Sequence, residues 1–202
     1  MSIWKKPATS PGSRVQPALF LDRDGVVIDD ADYLADPEGV RILPGVPEAL
    51  ARARAAGFLL IGVSNQSGIG RGYFTEDDFH QVMTRLDAAL AARGVAFDSF
   101  HYCPHAPDQD CLCRKPLRGM LNEARKLFSL DLARSWMVGD KASDIAFGRQ
   151  GGLGAVLVRT GHGLAEEIRV IDQFDDDPRV GVADDLPAAV AWILKRQGSD
   201  QA

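Results

Sequence analysis

The chain has 202 residues, of which 46% are hydrophobic and 25% charged, and its formal net charge is −5. This length suits one domain with a sizeable core, and the acidic balance excludes the basic field that attracts proteins to nucleic acid. No apolar run reaches the roughly 18 residues of a membrane span, so no membrane partner is expected, and the net charge argues against a nucleic-acid partner. Three clustered thiols fit the cytoplasm, and the lack of a surplus apolar stripe favours a monomer.

The predicted elements begin after a stretch that contains Pro, Ser and Gly. Residues 1–17 lack the apolar core of a signal peptide and are expected to form a flexible tether, with residues 18–202 as a single domain. Short apolar runs predict buried strands, and segments with helical spacing predict helices, one of them capped by Thr75. The strands are expected at 18–22, 58–64, 97–103, 135–140 and 154–161, and the helices at 46–57, 75–94, 117–128, 142–150 and 186–196.

The order of these elements predicts the fold class. Apolar strands that alternate with helices are typical of an α/β protein with a parallel sheet covered on both faces. The segment 165–183 is acidic and shows no apolar period, which favours an exposed connection. In an open parallel sheet, ligands bind beyond the carboxyl ends of the strands, so the functional residues are expected at that edge.

Two acids follow the first predicted strand. Asp22 and Asp24 are two residues apart, so on extended backbone their side chains point the same way. Carboxylates this close need a cation or a retained proton. Mg²⁺ binds carboxylate oxygens beside substrate phosphates, and Asp140, after the fourth strand, is the natural third ligand. A lone acid at a strand end would be interpreted as a cap, but the three together predict a magnesium site.

Polar residues after the second and third strands are suited to a phosphate. A hydroxyl, two amides and exposed N–H groups can cradle an anion, Lys115 adds a compact charge, and Arg114 adds a planar donor fork. By itself the cradle could equally be a capped loop. A basic pair is usually solvated surface, but the position of Arg114 and Lys115 directly after the cysteine loop favours a functional role. The cradle residues are Ser64, Asn65, Gln66 and Ser67.

All three cysteines lie in one loop, together with a histidine. These are ligand types that zinc binds in closed tetrahedral sites, whereas a disulfide would leave an odd thiol. A structural Zn²⁺ is therefore predicted, which would hold Arg114 and Lys115 in place over the carboxylates; unligated thiols are the alternative. The predicted ligands are Cys103, His105, Cys111 and Cys113.

Four segments, in this order, resemble the motifs of the haloacid dehalogenase (HAD) superfamily of aspartate-nucleophile phosphatases: FLDRDG, VSNQSGIGRG, CRKP and MVGDKASD. The CPH…CLCRKP loop is similar to that of the zinc-bearing D-glycero-D-manno-heptose-1,7-bisphosphate 7-phosphatases and the histidinol-phosphate phosphatases. The resemblance covers residues 18–161. It implies a three-layer, Rossmann-like parallel sheet (HAD-like) with no large cap domain and a zinc-bound loop near the active site.

The resemblance also implies roles for individual residues. Asp22 would be the nucleophile that forms an aspartyl-phosphate, and Asp24 the general acid and then the general base. Mg²⁺ would be held by Asp22, the main-chain carbonyl of Asp24 and Asp140, while Ser64 and Lys115 would stabilise the phosphoryl oxygens. With the cradle residues included, the predicted substrate-binding set is Asp30, Tyr33, Asn65, Gln66, Ser67, Arg114 and Lys141.

The expected function is the Mg²⁺-dependent removal of the 7-phosphate of D-glycero-D-manno-heptose 1,7-bisphosphate, a sugar phosphate used for activated heptose and lipopolysaccharide core synthesis. Three alternatives share parts of the pattern. A histidinol-phosphate phosphatase would prefer that substrate, a nucleic-acid 3′-phosphatase would bind nicked DNA, and a phospho-acceptor signalling domain would keep its acyl phosphate for minutes or longer. The acidic net charge argues against the nucleic-acid 3′-phosphatase.

Overall fold

The computed structural model describes residues 2–6 and 14–199; Met1 and residues 7–13 of the predicted tether, and residues 200–202, lie outside the described residues. Seven strands form one sheet. The strands are β1 (Ser2–Lys5), β2 (Ala18–Leu21), β3 (Leu59–Asn65), β4 (Ser99–Cys103), β5 (Trp136–Gly139), β6 (Gly154–Val158) and β7 (Val180–Ala183). Their order is β1-β4-β3-β2-β5-β6-β7, and every neighbouring pair is parallel except β1–β4.

Seven helices accompany the sheet within the described ranges. They are α1 (Val46–Ala55), α2 (Ser67–Gly70), α3 (Glu76–Ala91), α4 (Gly119–Leu127), α5 (Ala142–Gln150), α6 (Gly163–Phe174) and α7 (Leu186–Ser199). A 3₁₀ turn at Pro37–Gly39 lies in the connection between β2 and α1. None of the described helices combines the length and apolar character needed to cross a membrane.

The core lies in two layers, one on each face of the sheet. Successive residues of β2 alternate between them: Leu19 and Leu21 pack in one apolar cluster, and Ala18 and Phe20 pack in the other, as strand geometry requires. The first cluster takes the buried faces of α1, α3 and α7, and the second takes those of α4, α5 and α6. The expected three-layer α/β fold is confirmed.

Local signals explain where the predicted elements begin. The Thr75 hydroxyl accepts the Asp78 N–H at 3.1 Å, and the Asp78 carboxylate accepts the Thr75 N–H at 2.8 Å, a reciprocal cap that starts α3. Pro47 occupies the first turn of α1, where its missing N–H costs nothing. Burial of each large apolar side chain then contributes roughly 1.5–3 kcal/mol. In α3 these side chains are Phe79, Val82, Met83, Leu86 and Leu90.

The amino-terminal residues differ from the predicted flexible tether. Ser2–Lys5 forms an antiparallel edge strand against β4. The Trp4 ring packs edge-on against Phe100, with 6.4 Å between ring centroids, and Lys5 Nζ lies 2.6 Å from Asp87 Oδ1. Pairing therefore covers the backbone groups that β4 would otherwise expose at its outer edge.

The prediction that residues 165–183 form an irregular connection is wrong. They contain most of α6 and all of β7, which extends the parallel sheet beside β6. Val170 is buried in α6, whereas Leu164 and Ile168 are exposed, so apolar residues do not mark only the packed face. β7 has four residues, one of them a glycine, and a strand this short shows no clear alternation.

Candidate active site

A pocket of about 320 Å³ lies at the carboxyl edge of the sheet, beyond the ends of β2, β3 and β5. It is the edge at which parallel sheets bind ligands. The predicted site residues that line it are Asp24, Asp30, Tyr33, Asn65, Gln66, Ser67, Arg114 and Lys141. Further lining residues, which the sequence analysis did not assign, are Arg23, Asp32, Gly68, Ser143 and His162.

Three buried carboxylates meet at this edge of the sheet. Asp22, Asp140 and Asp144 each offer an oxygen within 4.8 Å of the others. Lys115 Nζ lies 3.0 Å from Asp22 Oδ1 and 2.6 Å from Asp144 Oδ1, and it also donates to the Val63 carbonyl at 2.8 Å. Asp140 Oδ1 accepts no hydrogen bond from any described residue. Lys141 Nζ lies 3.9 Å from Asp140 Oδ2, so two lysines face three acids.

The pKa shifts in this cluster reflect an excess of negative charge. Burial alone would lower the pKa of Lys115, but Asp144 and Asp22 outweigh it and raise the pKa to about 12. Burial tends to raise the pKa of Asp22, yet Lys115 and Lys141 hold it below its usual value. Burial, with the charges of Asp22 and Asp144, raises the pKa of Asp140 to about 8. A set of carboxylate oxygens with surplus negative charge fits a hard divalent cation.

The carboxylate of Asp24 lies outside this group. It accepts hydrogen bonds from the Arg23 guanidinium, at 2.8 and 3.0 Å, and from the Gln66 side-chain amide, at 2.9 Å. The structure thus brings the predicted ligands Asp22 and Asp140 together, and it adds Asp144 in place of the Asp24 side chain. The sequence signal for Asp144 was its position one helical turn after Asp140, which brings it back to the same edge.

The loop after β4 is held against the end of β3. Asn65 Oδ1 accepts the Lys115 N–H at 2.9 Å, and Asn65 Nδ2 donates to the Lys115 carbonyl at 3.2 Å. The Asn65 amide therefore fixes the backbone that carries Lys115. Arg114 lines the pocket and donates to the His105 carbonyl at 3.4 Å. Ser64 is buried, and its hydroxyl accepts from Gln66 Nε2 at 2.9 Å.

The four predicted zinc ligands come together in that same loop. His105 Nδ1 lies 3.3 Å from the sulfur of Cys113 and 3.5 Å from that of Cys103, and the sulfurs of Cys103 and Cys111 are 3.8 Å apart. Tetrahedral zinc with bonds of about 2.3 Å to sulfur places two sulfurs roughly 3.8 Å apart. Burial and the neighbouring Cys113 raise the pKa of the Cys103 thiol, which disfavours its thiolate form. A bound cation would stabilise that thiolate. The arrangement fits a closed Zn²⁺ site.

The outer rim of the pocket carries polar and aromatic groups. Asp30 Oδ2 lies 3.1 Å from His162 Nε2 and 3.7 Å from Lys141 Nζ. The Tyr33 ring packs edge-on against Tyr73, with 4.8 Å between centroids. His162 also donates its backbone N–H to Asp140 Oδ2 at 2.9 Å. Its position four residues after the end of β6, as the N-cap of α6 at the carboxyl edge, is the signal that could have identified it.

Comparisons with known proteins agree with this geometry. The HAD-hydrolase-like family model matches residues 112–189. The D-glycero-β-D-manno-heptose-1,7-bisphosphate 7-phosphatase of Pasteurella multocida is 43% identical over 175 residues, which cover 81% of this chain and 95% of the relative. The protein of that name from Escherichia coli K12 is 42% identical over 159 residues, covering 75% and 83% respectively.

Solved structures give the same picture. The D,D-heptose 1,7-bisphosphate phosphatase of B. bronchiseptica, complexed with magnesium and phosphate, is 35% identical and superposes with a TM-score of 0.79 over 89% of this chain and 99% of that one. A HAD-like phosphatase from Mesorhizobium loti, described as putative in its name, is also 35% identical, with a TM-score of 0.71 over 94% and 98%.

Proposed function

The chain belongs to the D-glycero-β-D-manno-heptose-1,7-bisphosphate 7-phosphatase family of the HAD superfamily, and from this membership we propose that it removes the 7-phosphate of that sugar bisphosphate. The reaction is the hydrolysis of a phosphoric monoester. Its place is in the supply of activated heptose for lipopolysaccharide synthesis. The substrate binds in the pocket at the carboxyl edge, with its 7-phosphate towards Asp22.

The observation that carries the proposal is the pairing of Asp22 with Lys115 inside the carboxylate cluster. Lys115 holds the Asp22 carboxylate in its ionised form, which is the form that can attack phosphorus. The same ammonium group can contact a phosphoryl oxygen as that group approaches. The Ser64 hydroxyl and the N–H groups of Ser67 and Gly68 add further donors near the end of β3, whereas the Gln66 N–H is already donated to the Cys103 carbonyl at 2.8 Å. The site thus combines a nucleophile with positive charge where negative charge develops.

The residues present fit Mg²⁺. Asp22, Asp140 and the main-chain carbonyl of Asp24 would hold it, with Asp144 beside them, because Asp140 Oδ1 is buried without a hydrogen bond and the cluster has surplus negative charge. When bound, the ion offsets charge on the transferring phosphoryl group. Lys115 contacts both Asp22 and Asp144 and so orders these two side chains.

The first chemical step forms an acyl phosphate. A carboxylate oxygen of Asp22 bonds to phosphorus as the bond from phosphorus to the C7 oxygen breaks. Asp24 gives its proton to that oxygen, so the sugar leaves as a neutral alcohol. Asn65 keeps Lys115 in place through both of its amide contacts, and Arg114, Asp30, Tyr33 and Lys141 bind the departing sugar and its second phosphate.

The second step returns the enzyme to its starting state. The Asp24 carboxylate takes a proton from water, and the resulting hydroxide oxygen bonds to phosphorus. The bond from phosphorus to the Asp22 oxygen breaks, which releases inorganic phosphate and restores both acids to their original protonation states. An acid beside the acyl phosphate shortens its lifetime, and this distinguishes a phosphatase from a signalling domain.

Zn²⁺ has a separate, structural role in the proposal. Cys103, His105, Cys111 and Cys113 would fill all four positions, so the ion would have no open site for chemistry. It would fix the loop between β4 and α4. Arg114 and Lys115 directly follow the last of these ligands in the loop, and their placement would determine the geometry of the phosphate site.

The test is a phosphate-release assay with Mg²⁺ on heptose 1,7-bisphosphate and on histidinol phosphate. We expect the specificity constant to be higher for the heptose, and Asp22→Asn to lose turnover on both. Asp29→Asn changes an exposed acid nearby and serves as the matched control. A higher specificity constant for histidinol phosphate would contradict the substrate, and retained turnover in Asp22→Asn would contradict the nucleophile.

A further inference from the structure

We propose that Arg23, acting with Gln66, is a positioning residue that fixes the orientation of the Asp24 carboxylate for proton transfer. The proposal rests on the proposed function, since that function gives Asp24 its role as acid and base. It assigns a task to the residue between the two catalytic acids, and it explains why the Asp24 carboxylate turns away from the Asp22 cluster.

The first observation is the burial of a cation that has one acidic partner. Arg23 is 1% exposed, and its guanidinium lies 5.4 Å from the centroid of the Phe79 ring and 3.8 Å from the Met83 sulfur. Among the described residues, Asp24 is the carboxylate within ion-pair distance of Arg23. A charge in such apolar surroundings is costly to bury unless it is paired, so the pair resists separation.

The second observation is a closed ring of hydrogen bonds. Arg23 donates to Asp24 Oδ1 through Nε at 3.0 Å and Nη2 at 2.8 Å, and Nη2 also donates to Gln66 Oε1 at 3.2 Å. Gln66 Nε2 completes the ring by donating to Asp24 Oδ2 at 2.9 Å. Rotation of the carboxylate about its own axis would break charge-assisted bonds, which are the strong ones.

Counting donors identifies the oxygen that carries the proton. A carboxylate oxygen has about two acceptor positions. Oδ1 of Asp24 already accepts two N–H bonds from Arg23, whereas Oδ2 accepts one, from Gln66. The free acceptor position is therefore on Oδ2, and the ring makes this the oxygen that exchanges the proton with the leaving group and with water.

Gln66 connects this ring to the phosphate site. Its Nε2 donates at 2.9 Å to the hydroxyl of Ser64 as well as to Asp24. Proton transfer requires a donor–acceptor separation of about 2.6–3.2 Å, so the relative placement of acid and phosphoryl group matters. One amide thus sets the distance between the proton donor and a group that would contact the phosphate.

The experiment compares leaving groups that differ in their need for a proton. Rapid-quench kinetics would measure formation of the aspartyl-phosphate from heptose 1,7-bisphosphate and from p-nitrophenyl phosphate, whose leaving anion is stable without protonation. The variants are Arg23→Lys, which keeps the charge but loses the planar fork, and Gln66→Met, which keeps the length but loses the amide. Phe79→Leu is the matched control, because it loosens the packing around Arg23 without removing a hydrogen bond.

We expect both variants to slow phosphorylation by the heptose roughly 10- to 100-fold, a part of what a general acid supplies, while phosphorylation by p-nitrophenyl phosphate stays within about threefold of the wild type. Phe79→Leu should change both rates by the same factor. If either folded variant slows phosphorylation by both substrates equally, or slows phosphorylation by neither, the positioning role is refuted. If Arg23→Lys fails to fold, the phosphorylation rates of Gln66→Met alone test the proposal. A wild type inactive on both substrates would instead contradict the proposed function.

Discussion

Replacing Gly25 by alanine tests how tightly the turn after β2 is built against the carboxylate cluster. Gly25 has a φ of +74°, and an added Cβ would lie 2.6 Å from Asp140 Oδ2 and 2.9 Å from the Gly161 Cα. Gly94 provides a matched control, because its φ of +73° is almost the same and nothing lies within 4 Å of its Cβ position. Both substitutions therefore strain the backbone in the same way, but only Gly25→Ala brings a Cβ into steric overlap with Asp140.

The magnitudes follow from these distances. The left-handed backbone costs an alanine about 1–2 kcal/mol at either position, and overpacking at Gly25 adds about 1–3 kcal/mol. To relieve the collision, the Asp140 oxygen has to retreat from 2.6 Å to the 3.4 Å of ordinary contact. In the proposed mechanism Asp140 helps to hold the metal ion, and a displacement of this order in such a group reduces activity by up to about 100-fold.

Urea unfolding and phosphate release measure the two effects separately. We expect Gly94→Ala to lose a little stability and no activity, and Gly25→Ala to lose more stability and most of its kcat/KM. Equal loss of stability in both variants, with kcat/KM unchanged in both, would refute the packing argument. It would mean that Asp140 can move without cost.

The other predictions concern the loop, the buried lysine and the first strand. If the loop holds the proposed Zn²⁺, its removal by a chelator or by Cys113→Ser should raise KM or lower kcat and expose the loop to proteolysis. Full activity in protein shown to be zinc-free would contradict this. Lys115→Met should destabilise the fold by roughly 3–5 kcal/mol in urea unfolding, since it leaves buried acids unpaired, and should abolish phosphate release. Unfolding free energy within error of the wild type would contradict it. Trp4→Ala removes the edge-on contact with Phe100 and should cost about 1 kcal/mol or more with kcat unchanged, because β1 is an edge strand that β4 separates from β3, the nearest strand of the site. A large loss of kcat would show that β1 contributes to the site.

Most of the fold could be predicted because its core strands are short, apolar and bounded by turn or cap residues. The elements that were not foreseen are those without such signals. β1 is four half-buried residues at the sheet edge, and its place depends on contacts with Phe100 and Asp87, far along the chain. α6 buries Gly163 and Val170 along twelve residues, so its exposed apolar side chains obscure the period.

The site was predictable to the extent that it follows from topology. Motifs at the ends of parallel strands must meet at one edge, and the acids, Lys115 and the cysteine loop do so. Side-chain direction was less predictable. Alternation placed Asp22 and Asp24 on one side and Arg23 on the other, yet the long Arg23 side chain reaches back to the Asp24 carboxylate. Such a contact depends on Phe79 and Met83, which a local pattern does not include.

The central claim is that Asp22 takes the phosphoryl group before water does. The direct measurement is peptide mass spectrometry of acid-quenched protein during turnover of heptose 1,7-bisphosphate, with Asp24→Asn used to slow the hydrolysis of the intermediate. We predict one phosphoryl group on the peptide that contains Asp22, transient in the wild type and longer-lived in Asp24→Asn. Continued release of phosphate with Asp22 unmodified at every time point would contradict the account, because water would then be attacking the substrate directly.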